Sequence, residues 1–187
     1  WPLANGESYV QVGDPAAAII SDIYAFGGTN FDTRAALAAM LQQATQPNQE
    51  RPGLNYMETP GYEPVDGAYS CCNFYGAAST TLEYNTADFA LSTLAGALGD
   101  RANAQKFAQR AQGWRNLFNP ATGYLEPRYL NGTFPLVFTP ASTPGWVEGN
   151  SAQYTWMVPF NLHGLFADMG GNAKVVQRLD TFFTQFD

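Results

Sequence analysis

Positive charge is scarce in this chain. Lys and Arg total 9 against 16 Asp and Glu, a net charge of −7 over 187 residues. The few basic residues do not cluster. Phosphate backbones are neutralised by clustered cations, so nucleic-acid binding is disfavoured. Histidine occurs once, at His163, which excludes a His-rich metal site or a two-histidine catalytic scheme within the chain. The two cysteines, Cys71 and Cys72, are adjacent, and the CxxC spacing of a zinc or redox site is missing. They are open to a vicinal disulfide, to free thiols, or to pairing with a cysteine elsewhere. No apolar run approaches the roughly 20 residues that span a bilayer. There is no starting Met and no signal peptide, so the stretch from Trp1 to Asp187 reads as an internal or processed fragment. The G-x-S-x-G elbow, the glycine-rich phosphate loop and the βαβ pattern are all missing. Carboxylates are what remains for acid–base chemistry.

What is present is apolar and aromatic. Hydrophobic residues make up 45% and charged residues 13%, enough for a sizeable core. Aromatics reach 14%, which suits either a large core or a carbohydrate-lined cleft. A short extended segment is expected around Tyr9 to Val12. Asp14-Pro15 then opens a buried helix running to Phe26, with Asp14 as its cap and Gly27-Gly28 as its stop. Asp32 or Thr33 caps a second helix to about Thr45. Seven Pro and Gly residues make 47–67 a long loop, in which Tyr56, Glu58, Tyr62, Glu63 and Asp66 read mainly as loop packing and solvated charge. Helices over about 77–98 and 101–118 form an antiparallel hairpin across Gly99-Asp100. A short β-hairpin turning at Asn131-Gly132 is expected next. A fifth helix over about 151–169, kinked at Pro159, and a sixth over 172–186 complete the pattern. The fold class is therefore all-α, with helical hairpins and long loops gathered at one end. Six helices are half of a twelve-helix toroid, so further helices are expected outside this stretch.

The sharpest chemical signal is Trp146-Val147-Glu148-Gly149-Asn150-Ser151-Ala152-Gln153-Tyr154-Thr155-Trp156. A carboxylate precedes a helix start that Asn150 or Ser151 can cap. Trp146, Tyr154 and Trp156 flank it in sequence. An acid among aromatic rings suits sugar chemistry, which uses a proton donor of raised pKa and a platform for a pyranose face. The competing reading makes Glu148 a solvated acid before a helix and the tryptophans core. Glu83 and Tyr84 are further candidates for sugar hydroxyls or water, or else a buried pair joining two helices. Trp1 either stacks on a sugar or packs. His163 reads as a core or solvent histidine. Asn131-Gly132-Thr133 is a glycosylation sequon, or simply an Asn-Gly turn.

An ordered set of blocks carries a family resemblance. These are Trp1-Pro2-Leu3-Ala4-Asn5-Gly6, Val12-Gly13-Asp14, Gly61-Tyr62, Thr81-Leu82-Glu83-Tyr84 with Asp88-Phe89, Ala97-Leu98-Gly99, Trp114 to Pro120 with Thr122-Gly123, and Glu148-Gly149-Asn150 with Gln153 to Trp156 and Val158-Pro159. The set resembles the glycoside hydrolase family 92 α-mannosidases over almost the whole chain. The resemblance implies an (α/α)6 toroid, of which residues 1–187 are one part, preceded by a β-sandwich domain outside this stretch. It implies exo-acting, inverting, Ca²⁺-assisted hydrolysis of α-mannosidic bonds by a secreted, cell-surface or periplasmic protein. Glu148 takes the place of the general acid. Trp1, Glu83, Tyr84, Trp146, Asn150 and Gln153 are the matching candidates for substrate binding. The general-base aspartate and the principal Ca²⁺ ligands fall in blocks beyond Asp187, so no metal ligand is assigned here. The chain departs from the family at Phe160-Asn161, where His-Asp is usual, and in the Cys71-Cys72 stretch. If Phe160 and Asn161 line the site, its polarity there is reduced. Two alternatives stand beside this reading: a non-catalytic carbohydrate-binding or structural fragment, and another (α/α)6 sugar enzyme such as a lyase.

Overall fold

Small side chains along one long helix let the rest of the chain close around it. The structure is a computed structural model and describes residues 12–69 and 76–185. Helix α4 (Ala77–Ala97) is its axis, with 15 of 21 residues buried. Ala77, Ala78, Ser79, Ala87, Ala90 and Ala95 allow close approach from several sides. A helix without a polar face must be enclosed in this way. Helices α1 (Pro15–Ala25) and α2 (Thr33–Thr45) pack on its C-terminal half. A short helix, α3 (Leu54–Glu58), lies inside the long Pro- and Gly-rich loop. Helix α5 (Arg101–Arg110) returns antiparallel to α4 and continues as a 3₁₀ turn over Ala111–Asn116. Gly99 takes φ +86° at the tight link, and Asp100 caps α5 by accepting from Asn103 N–H at 3.1 Å.

Two apolar clusters divide the core. Ala17, Leu37, Met40, Leu91, Leu94 and Phe107 build one from α1, α2, α4 and α5. Tyr62, Leu82, Trp114, Leu117, Trp146 and Leu165 build the other around the first turns of α4. A two-stranded antiparallel ribbon, β1 (Phe118–Asn119) and β2 (Tyr124–Leu125), joins the second cluster. Helices α6 (Ser151–Tyr154), α7 (Leu162–Asp168) and α8 (Asn172–Thr184) follow.

The all-helical class and the α4–α5 hairpin are as expected, and four details differ. First, the expected fifth helix is split. Pro159 has no N–H and its ring would meet the carbonyl four residues back. The chain therefore leaves α6 after one turn, passes a 3₁₀ turn at Pro159–Asn161, and restarts where Asn161 Oδ1 accepts from Gly164 N–H at 3.0 Å. Second, the hairpin turns at Thr122-Gly123 rather than Asn131-Gly132. Gly123, at φ +71°, donates to Asn119 O at 2.7 Å, while Asn131-Gly132 makes an isolated turn. Third, Asp14 does not cap α1, because its carboxylate is taken by Arg51. Fourth, α1 is buried on one side only. Ala17 and Ser21 face α4, whereas Ile19, Ile23 and Phe26 are 58%, 49% and 92% exposed. The stripe of α8 is likewise divided, with Val175 buried and Val176 and Phe183 exposed.

Candidate active site

The first turn of α4 has no side-chain cap, and a crossing loop satisfies it instead. Ala78 N–H donates to Gly145 O at 3.0 Å. Ser79 Oγ accepts from Val147 N–H at 3.0 Å. The fit depends on Gly76, where an added Cβ would come 2.1 Å from Val147 Cγ2. The loop therefore lies directly on the helix backbone. Its next residue is Glu148.

Glu148 has φ +53° and is the one non-glycine residue with positive φ among the described residues. The left-handed region costs an L-residue with a Cβ about 1–2 kcal/mol. Such strain persists only where neighbouring contacts over-determine the backbone. Here they do. Tyr154 Oη donates to Val147 O at 2.8 Å. Trp146 stacks on Tyr154 at 5.0 Å between ring centroids and 20° between planes. Trp146 Nε1 donates to Ser151 Oγ at 3.0 Å. On the far side, Asn150 and Gln153 form a reciprocal capping box. Asn150 Oδ1 accepts from Gln153 N–H, and Gln153 Oε1 accepts from Asn150 N–H, each at 3.1 Å. Intramolecular hydrogen bonds contribute about 1 kcal/mol each, so the buried bond to Ser79 and the part-buried one to Tyr154 together are of the size of the strain at Glu148.

The Glu148 side chain itself is exposed. The rings flanking it in sequence do not enclose it. Trp146 is buried, and Tyr154 and Trp156 are half-buried against the second core cluster. The aromatic residues hold the backbone of the loop rather than sheath the carboxylate. The helix start beside Glu148 belongs to a single turn of four residues, too short for a strong dipole, since the effect grows from aligned peptide units.

The other sequence candidates are spread around α4. Tyr84 is buried, and its hydroxyl donates to Pro52 O at 3.1 Å. Glu83, half-buried, lies against Gly13, where an added Cβ would come 2.4 Å from Glu83 Cβ. Burial pushes its carboxyl up to about 7. Phe160 stacks on Phe89 at 5.2 Å, and Asn161 Nδ2 donates to Gln112 Oε1 at 2.7 Å. His163 is solvent-exposed on α7. Asn131 is exposed, and its Oδ1 accepts from Thr133 N–H and Oγ1 at 3.0 and 2.8 Å. Trp1, Cys71 and Cys72 lie outside the described residues.

Several polar groups escaped the sequence reading. Glu63, expected among the loop's packing residues and solvated charges, is fully buried. Burial pushes its carboxyl up to about 9, and a hydrogen bond with Tyr69 opposes the shift. Glu126 is also fully buried and accepts from Thr122 Oγ1. Arg51 and Arg110 both bind Asp88 inside the fold. Ser79 carried no motif. The only available signal was its place in the first turn of a helix without a cap residue.

Among the described residues, no group of three or more His, Cys, Asp or Glu is placed to hold a metal ion. The described residues therefore do not by themselves gather the carboxylates a calcium ion would take.

The order of elements and the α4–α5 hairpin are those of a segment of an (α/α) toroid. The structure is similar to a family 92 α-mannosidase of Bacteroides thetaiotaomicron, with a TM-score of 0.87 and 29% identity, covering 96% of this chain and 23% of that one. It is similar to a family 92 inverting mannosidase of the same organism, with a TM-score of 0.88 and 27% identity, covering 96% of this chain and 24% of that one. A curated relative, an uncharacterised secreted glycosidase of Arthroderma benhamiae, is 26% identical over 210 residues, 93% of this chain and 26% of the relative. The chain belongs to glycosyl hydrolase family 92, whose catalytic domain it matches over residues 1–187. It spans about a quarter of the length of these relatives.

Proposed function

We propose that the intact protein is an exo-acting α-mannosidase that hydrolyses with inversion, and that Glu148 is its general acid. One observation carries this reading. In a family 92 chain, the carboxylate in the Glu-Gly-Asn block is exposed on a backbone in the left-handed region, held before it by two bonds to Val147 and after it by the Asn150–Gln153 capping box. Strained, over-determined positions of this kind cluster at functional sites. The solved family 92 mannosidases, one of them bound to mannoimidazole, support α-mannoside glycans as the substrate class.

In this mechanism, protonated Glu148 donates to the leaving glycosidic oxygen. A carboxylate across the cleft activates water on the opposite sugar face. Inversion calls for roughly 6.5–9.5 Å between the two carboxyls, which leaves room for that water. Asn150 and Gln153 use their amide oxygens in the capping box, which leaves the –NH₂ groups to face sugar hydroxyls. Trp1 and the half-buried Glu83 complete the proposed substrate side, whereas Tyr84 and Trp146, expected there from the sequence, are buried with their polar atoms bonded to Pro52 O and Ser151 Oγ and support the site from behind. Calcium assistance and export to a secreted, cell-surface or periplasmic location follow from the family resemblance. The curated relative's description as secreted supports export, and no helix among the described residues is long and apolar enough to cross a membrane. We also place this chain as one part of a larger toroid. The outer faces of α1 (Ile19, Ile23) and α8 (Val176, Phe183) would take the remaining helices.

The test is Glu148→Gln in the intact protein. Hydrolysis of an unactivated mannobiose should fall by roughly 10²–10⁴-fold, the typical contribution of general acid–base catalysis. An aryl mannoside with a good leaving group should be affected far less. Near-normal cleavage of mannobiose by Glu148→Gln would remove the assignment.

A further inference from the structure

We propose that Ser79 and Tyr154 are positioning residues for proton donation, acting through the two faces of Val147. This inference rests on Glu148 being the general acid. Val147 is the residue before Glu148, and both of its backbone polar groups are taken by side chains. Its N–H donates to Ser79 Oγ at 3.0 Å in a buried bond. Its carbonyl accepts from Tyr154 Oη at 2.8 Å. The carbonyl belongs to the same peptide unit as the Glu148 N–H, because peptide groups are planar. Fixing it therefore fixes the plane from which the Glu148 φ rotation starts. The N–H bond fixes the preceding plane. Two successive planes held this way fix the backbone of Val147 and so the direction in which Glu148 leaves it, while the Asn150–Gln153 capping box holds the chain beyond Glu148, so that φ +53° is set from both ends.

The two side chains come from elements with their own support. Ser79 sits in the first turn of α4, the most enclosed helix, and is fully buried. Tyr154 ends α6, and its ring lies flat on buried Trp146, whose indole N–H is in turn held by Ser151 Oγ. Gly149 must remain small for the same assembly, since an added Cβ would come 2.8 Å from Tyr154 Cε2. The hydroxyl of Tyr154, at the end of α6, thus bonds the peptide that carries the Glu148 N–H.

A positioning role predicts a dependence on the leaving group that a purely structural role does not. A misplaced acid slows only those substrates whose leaving group has to be protonated. The experiment uses the intact protein with Tyr154→Phe, Ser79→Ala and Glu148→Gln, assayed on mannobiose and on 2,4-dinitrophenyl α-mannoside. For Tyr154→Phe, kcat on mannobiose should fall on the order of 10–100-fold with KM within about twofold, as expected when a reacting group is displaced by about an ångström. On the dinitrophenyl mannoside the fall should stay below about threefold. Ser79→Ala should show the same split. If Ser79→Ala fails to fold, Tyr154→Phe carries the test, because it removes one oxygen from a half-buried ring. Equal losses on both substrates, or no loss on mannobiose, overturn the inference while leaving Glu148 assigned, provided Glu148→Gln is itself leaving-group dependent. If Glu148→Gln cleaves mannobiose normally, the positioning role and the acid assignment fall together.

Discussion

Arg51 Nη1 meets Asp88 Oδ1 at 2.7 Å with both side chains out of solvent. Arg51 Nε also donates to Asp14 Oδ2 at 3.1 Å. Arg110 Nε donates to the other Asp88 oxygen at 2.6 Å, and Arg110 Nη2 reaches Ala44 O at 3.0 Å. One aspartate on α4 thus ties the start of α1, the end of α2, the long loop and the end of α5 into one network. A buried ion pair gains little over a well-packed apolar pair, but removing one partner leaves an uncompensated charge.

Asp88→Asn should therefore be strongly destabilising. The change leaves Arg51 with Asp14 and Arg110 with the exposed Glu58 as their remaining carboxylate partners, so the cost in urea unfolding of the intact protein should be about 3 kcal/mol, the low end for breaking a buried pair. A change below about 1 kcal/mol would mean that water or other groups reach the cluster and that its burial contributes little.

Glu63 gives a pH-dependent prediction. Its carboxyl is raised from an ordinary 4.5 to about 9, burial being the larger cause. Between these values the folded state holds a proton that the unfolded state has released. Stability from this group is thus fully present below about 4.5, declines as pH rises, and levels off above about 9. Glu63→Gln keeps the shape without the titration. The variant should match the parent near pH 4 and gain on it by up to about 1.4 kcal/mol for each pH unit in that window. Equal pH profiles for the two proteins would show that Glu63 is not held neutral. The site is tight as well as dry, because an added Cβ at Gly53 would come 2.2 Å from Glu63 Oε2.

Local signals made part of this architecture legible. Asp32 caps α2 as its position suggested, accepting from Ala35 N–H at 2.9 Å. The three-residue spacing of Asn150 and Gln153 announces the capping box. Gly99-Asp100 marks the α4–α5 link because a left-handed residue and a cap are both needed there. Non-local energetics hid the rest. Asp14 looks like a cap until Arg51, 37 residues later, takes its carboxylate, and Asp88 stands another 37 residues beyond. The apolar pattern runs on across Pro159, so only the backbone shows where the helix breaks. Glu63 stands between Tyr62 and Pro64 with nothing local to mark it as buried. At the candidate site, the residue types around Glu148 pointed to an acid with aromatic company. They could not say that the rings support the backbone instead of covering the carboxylate, because that depends on where α4 begins.

That division of labour leads to a prediction in which stability and activity move in opposite directions. Glu148 has φ +53°, a region that glycine occupies without a Cβ penalty. Glu148→Gly removes about 1–2 kcal/mol of strain. It also loosens the unfolded chain, which returns roughly 0.4–1 kcal/mol of that gain. The net result should be a protein more stable by about 0.5–1 kcal/mol, given these opposing contributions. The same change deletes the proposed proton donor, so mannobiose hydrolysis should fall at least as far as in Glu148→Gln. Thermal unfolding and kinetics on one preparation of the intact protein would check both halves. A destabilised Glu148→Gly would mean that the carboxylate makes stabilising contacts of its own, in which case the bonds from Ser79 and Tyr154 are not what holds this backbone in the left-handed region.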